Sequence, residues 1–286
     1  MTDFVSSLGR PIYRSPVRLA TTKRFTTIEA ETSVSARKDV VASLLSKRSQ
    51  APVQTSWQRE VGFVPQSAYS EGVYTFTFRN GTTLRIPETF EAIGTRVWDC
   101  APCMSRWFEK GDFVRGKNIL EIGACTGLLG LACASLGAKR VILTDLQSIY
   151  KAMEKSIIAT GLGDVCIAEA LDWNDLAAVD SLKRKYGPFD MIVASDVLVF
   201  AGDASMTGKG GLIEAVIHLA EPGKTEILMG CNKNRHGFLV GFYANPPHDL
   251  FDIEVVNKEE VDLEYYTEMI MLYRMYLKEI HTASDL

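Results

Sequence analysis

The sequence predicts an α/β protein built on one mostly parallel sheet with helices on both faces. Three observations carry that prediction. Short apolar runs alternate with helically spaced segments from Asn118 to Ala220, the pattern of parallel strands joined by right-handed crossovers. The first run, Asn118-Ile-Leu-Glu-Ile122, breaks into the turn Gly123-Ala-Cys-Thr-Gly127 and resumes as a helix through Leu128, Leu129, Leu131, Ala132 and Leu136. Two further runs, Arg140–Asp145 and Phe189–Asp196, end on an aspartate at the carboxyl edge of the sheet, where open α/β sheets bind their ligands.

The elements follow in order. Residues 1–34 are rich in Ser, Thr and Arg without periodicity and read as disordered or loosely attached. Their Arg/Ser-rich character also has a transit-peptide flavour. Ser35–Ser49 reads as a helix with Val40, Val41, Leu44 and Leu45 on one face, and a linker carries the chain to residue 69. One domain is expected over 70–286, large enough at 47% hydrophobic content for a sizeable core. It opens with a β-hairpin: Gly72–Phe78 alternates, Arg79-Asn80-Gly81 signals a two-residue turn, and Thr82–Ile86 returns. Gly94-Thr-Arg-Val-Trp-Asp99 leads into a helix through Lys110. After the glycine turn and its helix come a strand at Arg140–Asp145, a helix at Leu146–Thr160 and a strand at Val165–Trp173. A helix at Ala177–Tyr186, the strand Phe189–Asp196, a helix at Leu212–Ala220 and a strand at Glu226–Gly230 continue the alternation. A short helix at Phe238–Tyr243 precedes Phe251–Val256 and Met269–Leu277, which finish the sheet as an antiparallel hairpin. Seven strands therefore belong to the main sheet.

Charge and composition exclude several functions. A net charge of −4 argues against bulk nucleic-acid binding, although the first 60 residues hold ten Lys/Arg against five Asp/Glu. No apolar run approaches the roughly 18–20 residues of a membrane span. Six scattered cysteines, several in core positions, fit reduced thiols in the cytoplasm, with the nucleus or an organelle as alternatives. Cys100-Ala-Pro-Cys103 has the spacing of a thiol–disulfide motif, with Cys100 as its nucleophile. The four histidines cluster with nothing, and no metal site is expected.

The turn itself selects among ligands. A nicotinamide dinucleotide needs a second glycine so that its pyrophosphate can approach the backbone, and Cys125 stands there instead. Glu121, expected at the mouth of the turn, would repel phosphate and suits an amino group or a sulfonium. Asp145, about 20 residues after the turn, is spaced to accept ribose hydroxyls, or to cap the helix that follows it.

Five segments together resemble one family. Gly94-Thr-Arg-Val-Trp-Asp99, Leu120-Glu-Ile-Gly-Ala-Cys-Thr-Gly-Leu-Leu-Gly130, Leu143-Thr-Asp145, Leu171-Asp-Trp173 and Phe189-Asp-Met-Ile-Val-Ala-Ser-Asp196 look like the protein-lysine methyltransferase group of the seven-β-strand, Rossmann-like enzymes that use S-adenosylmethionine (SAM). The resemblance covers roughly residues 70–277. It implies a SAM site formed by Trp98, Glu121, Gly123, Ala124, Cys125, Gly127, Asp145, Asp172, Trp173 and Ser195. In it Trp98 flanks the methionine end, Asp145 binds the ribose, Trp173 lies beside the adenine and Asp172 bonds its amino group. Asp196 is then the catalytic acid that holds the acceptor ammonium and permits its proton to leave. Phe200 is the aromatic residue over the amine. The implied partner is a protein carrying a target lysine, met by a monomer with no nucleic acid or membrane involved.

The sequence also departs from the family. Val199 occupies the position expected to be aromatic, and Phe200 comes one residue late. Asn174 follows Trp173 where glycine is common, Ser156 and Thr160 stand at usual asparagine positions, and Cys125 replaces a smaller residue. Alternatives are therefore methylation of another nucleophile or small molecule, a SAM-binding protein without transfer, an NAD-dependent oxidoreductase or a thiol–disulfide protein.

Overall fold

A small antiparallel sheet comes first along the described chain, with β1 (Tyr69–Ser70), β2 (Val73–Thr77) and β3 (Thr83–Pro87) in that order. The computed structural model describes residues 69–70, 72–89, 92–197, 211–233, 247–262 and 266–279. The expectations for residues 1–34, for helices at Ser35–Ser49 and Phe238–Tyr243, and for Phe200 lie outside those residues. Alternation in β2 and β3 buries Tyr74, Phe76, Leu84 and Ile86 on one face. The connecting loop has three residues rather than two. Phe78 N–H donates to Thr82 O (2.8 Å), Gly81 N–H donates to Phe78 O (2.9 Å), and Gly81 takes φ +87°. This is a type I turn closed by a left-handed glycine bulge.

The main sheet is built from β4 (Asn118–Ile122), β5 (Arg140–Asp145), β6 (Cys166–Ala170), β7 (Met191–Ser195), β8 (Glu226–Asn232), β9 (Phe251–Val255) and β10 (Ile270–Leu277). Its order is β6-β5-β4-β7-β8-β10-β9. The first five strands are parallel, with Ile119 registered between Val141 and Met191, and Ser195 beside Gly230. β10 runs antiparallel to both neighbours, Ile270 facing Asn232 and Leu277 facing Phe251. The expected seven-stranded, mostly parallel architecture and its antiparallel ending are both present.

Two cores sandwich this sheet. One face carries α1 (Cys100–Phe108), α2 (Leu128–Ser135), α3 (Tyr150–Thr160) and the small sheet, with Trp107, Phe76, Leu131 and Met153 in the packing. The other carries α4 (Leu176–Tyr186) and α5 (Leu212–Leu219), which bury Val179, Leu182, Val216 and Leu219. The strand period of two assigns Ile119 to the first face and Leu120 and Ile122 to the second. Several boundaries differ from expectation; β6 ends at Ala170, three residues short of Trp173, and β7 ends at Ser195, one short of Asp196. α3 begins four residues late because Leu146–Ile149 forms a turn, Ile149 N–H donating to Leu146 O (2.8 Å). Ile149, not Asp145, is therefore its N-cap residue. β8 also runs two residues beyond Gly230, to Asn232.

Candidate active site at the carboxyl edge of the sheet

The turn after β4 curls through three left-handed residues, Gly123 (φ +66°), Cys125 (φ +53°) and Gly127 (φ +85°). Glycine takes that conformation without strain, whereas a cysteine does so at some cost. Hydrogen bonds hold Cys125 there. Its N–H donates to Asp145 Oδ2 (2.8 Å), while Ala124 N–H donates to Thr144 O (2.9 Å) and Gly127 N–H to Ala124 O (2.7 Å). Three of the turn's backbone donors are thus engaged within the protein. This argues against the dinucleotide reading.

Asp145 ends β5 directly below this turn. Its Oδ1 accepts from Leu146 N–H (2.7 Å), so each oxygen has one backbone donor and keeps a lone pair for a ligand hydroxyl. Burial raises its pKa, and the amides of Cys125 and Leu146 pull the other way. The chain after β6 crosses beside it, because Leu171 N–H donates to Asp145 O (2.8 Å). That crossing brings in Trp173, half-buried, with its ring 3.4 Å from where a side chain on Gly123 would start. Asp172 is exposed, and its Oδ1 accepts from the backbone and side-chain amides of Asn174 (3.0 and 2.9 Å).

Glu121 differs most from its expected place. It is 1% exposed and lies under α2, not at the mouth of the turn, with Oε2 accepting the Gly130 N–H (2.8 Å). Strand alternation is the reason, since Glu121 shares its face with Ile119, toward α2. α2 has no side-chain cap of its own, and this buried carboxyl satisfies one of its first-turn amides. Gly130 makes the approach feasible: a Cβ there would lie 2.2 Å from Leu143 Cδ2 and 2.7 Å from Glu121 Oε2. Burial pushes the pKa of Glu121 up to about 8 despite that hydrogen bond, and nearby Asp145 adds to the rise.

Asp196 follows β7 in a left-handed conformation (φ +54°), behind the buried Ser195, and is itself 5% exposed. Its Oδ2 accepts from Cys100 N–H (2.9 Å), its Oδ1 from Asn232 N–H (3.1 Å), and its own N–H donates to Gly230 O (2.8 Å). These bonds bring the Gly94–Asp99 segment to the sheet edge, because Cys100 opens α1. Gly94 lets the segment pack on Ile149, Thr95 Oγ1 stitches the loop to Thr89 O (2.8 Å), and Val97 N–H donates to Glu88 Oε1 (2.6 Å). Trp98 is half-buried, its Nε1–H donating to Ile93 O (3.0 Å) with Arg96 stacked on its ring.

Two residues at this edge escaped the sequence reading. Val197 covers Gly123, its Cγ1 2.6 Å from an ideal Cβ there; the only hint was a β-branched residue after the strand-ending acid. Asn232 bonds Asp196 through its backbone and Asp99 Oδ2 through its side chain (3.2 Å), and no local pattern marked it. The Cys100/Cys103 pair shows no thiol–disulfide character. Both are free and fully buried, and burial followed by the charge of Asp196 raises both thiols far above the usual range. Among the described residues no group could hold a metal ion, and no helix is long and apolar enough to cross a membrane.

Comparison with known proteins adds four findings. A family model described as lysine methyltransferase matches residues 79–239. EEF1A lysine methyltransferase 3 of Xenopus tropicalis is 29% identical over 214 residues, covering 71% of this chain and 87% of that protein. Protein N-lysine methyltransferase METTL21A of Mus musculus is 31% identical over 130 residues, or 43% and 57% of the two chains. Among solved structures, SMU.776 complexed with SAH (S-adenosylhomocysteine) superposes with TM-score 0.50 at 12% identity, over 73% of this chain and 57% of that one, a likeness of fold.

Proposed function

The chain belongs to the lysine methyltransferase family, and from that premise we propose how its strand-edge residues carry a methyl group from SAM to a lysine of a protein partner. The residues present fit the cofactor. SAM has no phosphate, matching a turn whose amides at 124, 125 and 127 are already engaged. It has ribose hydroxyls for the free lone pairs of Asp145 and a purine for the face of Trp173. Gly123, Ala124 and Gly127 shape the turn around it, with Trp98 and Ser195 along the rim. Asp172 orients the purine from the loop after β6. The fit alters the role of Glu121, which supports the turn from beneath.

When bound, SAM supplies an electrophilic methyl group on a sulfonium. The protein's part is alignment and proton handling. An acceptor lysine arrives as an ammonium and must be neutral to attack. Asp196, at the edge between the turn and α1, is the group placed to hold that ammonium and let its proton go. Its bonds to two backbone amides fix the carboxylate before the acceptor arrives, so little reorganisation remains. The observation that carries this reading is the meeting of Asp145, Gly123, Trp173 and Asp196 at one edge of the sheet. Phe200 is proposed as the aromatic partner of the amine. Six free cysteines support a reducing, cytoplasmic setting, and we propose a monomer that acts without nucleic acid or membrane.

Two measurements test this. Incubating a lysate with the protein and isotope-labelled SAM should give methyl-lysine in a small set of proteins by mass spectrometry. Label appearing only in small molecules would remove the lysine assignment. Separately, Asp145→Ala should weaken SAH binding about 10- to 100-fold in calorimetry, the loss of hydrogen bonds to a charged acceptor. Unchanged affinity would contradict the ribose role.

A further inference from the structure

The sheet edge holds two buried acids, Asp99 (7% exposed) and Asp196 (5% exposed), and one side-chain amide stands between them. Asn232, the last residue of β8, donates its backbone N–H to Asp196 Oδ1 (3.1 Å) and its Nδ2–H to Asp99 Oδ2 (3.2 Å). Asp196 in turn receives the Cys100 N–H (2.9 Å), the residue next to Asp99. β7, β8 and the start of α1 are thus joined in a closed ring of hydrogen bonds. Packing tightens the ring from below. Gly230 lets α1 lie directly on β8, since a Cβ there would be 2.7 Å from Met104 Sδ and 3.0 Å from Cys100 Cβ.

We propose that Asn232 is a positioning residue for methyl transfer: by bonding Asp99 and Asp196 at once, it locks the Trp98-Asp99 segment and the acid of the acceptor site into one unit. This rests on the assignment of Asp196 to the acceptor amine. Asn232→Ala keeps the backbone bond to Asp196 and the Cys100 N–H bond but loses the side-chain tie to Asp99, so the segment is held to the acid by one link instead of two without emptying the core. An aspartate at 232 opposite an asparagine at 99 rebuilds the same bond with donor and acceptor exchanged, because the two side chains are nearly isosteric.

The test needs no acceptor protein. Sinefungin, which carries a primary amine where SAM has its S-methyl group, reads the acceptor end of the site; SAH reads the rest and reports folding. Calorimetry on the full chain should show SAH affinity within about twofold of wild type in Asn232→Ala, with sinefungin weakened about tenfold, the scale of one hydrogen bond to a charged group. The paired exchange Asp99→Asn with Asn232→Asp should bring sinefungin back to within about threefold of wild type. Equal losses for both ligands in Asn232→Ala would reduce Asn232 to a structural role and overturn the proposal. So would unchanged sinefungin binding, or failure of the paired exchange to restore it. The lysine assignment stands or falls separately, on methyl-lysine formation in the labelled lysate.

Discussion

Asp196→Asn is expected to abolish methyl transfer, by at least about 100-fold, while SAH still binds with near wild-type affinity. The two readouts separate because Asp196 is proposed for the acceptor, whereas most groups proposed for the cofactor lie at the turn, β5 and the loop after β6. Backbone strain does not change with the substitution. Residue 196 is left-handed at φ +54°, a conformation asparagine adopts as readily as aspartate. Hydrogen bonding does change. Both carboxylate oxygens receive backbone amides, from Cys100 and Asn232, and a carboxamide accepts only through its one oxygen. One buried N–H then meets another donor, so the variant should also lose about 1–3 kcal/mol of stability. A denaturation midpoint measured beside turnover keeps the effects apart. Transfer persisting at near wild-type rate in a folded, SAH-binding Asp196→Asn protein would remove Asp196 from the mechanism.

Glu121→Gln, in β4 beneath α2, should change the pH dependence of stability. Burial raises the Glu121 pKa from 4.5 to about 8 in the folded chain. Below about pH 4.5 the carboxyl is protonated in both states and has no pH-dependent effect. Between there and about 8 the unfolded chain gives up the proton and the folded chain keeps it, so stability falls as pH rises. The total loss is on the order of 3–5 kcal/mol at 1.36 kcal/mol per pKa unit. Glutamine has no proton to lose and still accepts the Gly130 N–H, so its curve lacks this decline. Urea midpoints at pH 5, 6.5 and 8 should therefore draw apart in favour of the variant as pH rises. Parallel midpoints across that range would show that Glu121 is ionised in the folded state.

Much of this fold was legible because its signals are local. β4 through β8 are apolar runs bounded by glycines or acids, and each lies within a few residues of its expected place. Where the structure differs, a longer-range condition decided. The hairpin loop gained a residue because Asn80 Oδ1 accepts the Thr82 N–H (2.9 Å) and Gly81 turns left-handed before β3 begins. α3 started late because the main chain after Asp145 turns to let Asp145 bond both Cys125 and Leu146. Glu121 was placed at the mouth of the turn by its nearness to Gly123, although strand alternation already pointed it at α2. Asn232 had no local signature, and Val197 only that of a β-branched residue after the strand-ending acid. Their partners, Asp99 and Gly123, are far away in sequence, and only the crossing of β7, β8 and α1 brings them together.

The position of β10 sets an order on synthesis. This strand comes last among the described elements, yet it fills the slot between β8 and β9, which are joined only through it. As the chain emerges, the parallel strands find partners in succession, while β8 keeps an open edge and β9 stays unpaired until about residue 277 has appeared. That edge is apolar and buried in the finished sheet, from Ile227 to Cys231. An unpaired apolar edge is a template for joining other chains. A chain cut short before Ile270 would therefore keep the residues proposed for the site and present a surface primed for aggregation.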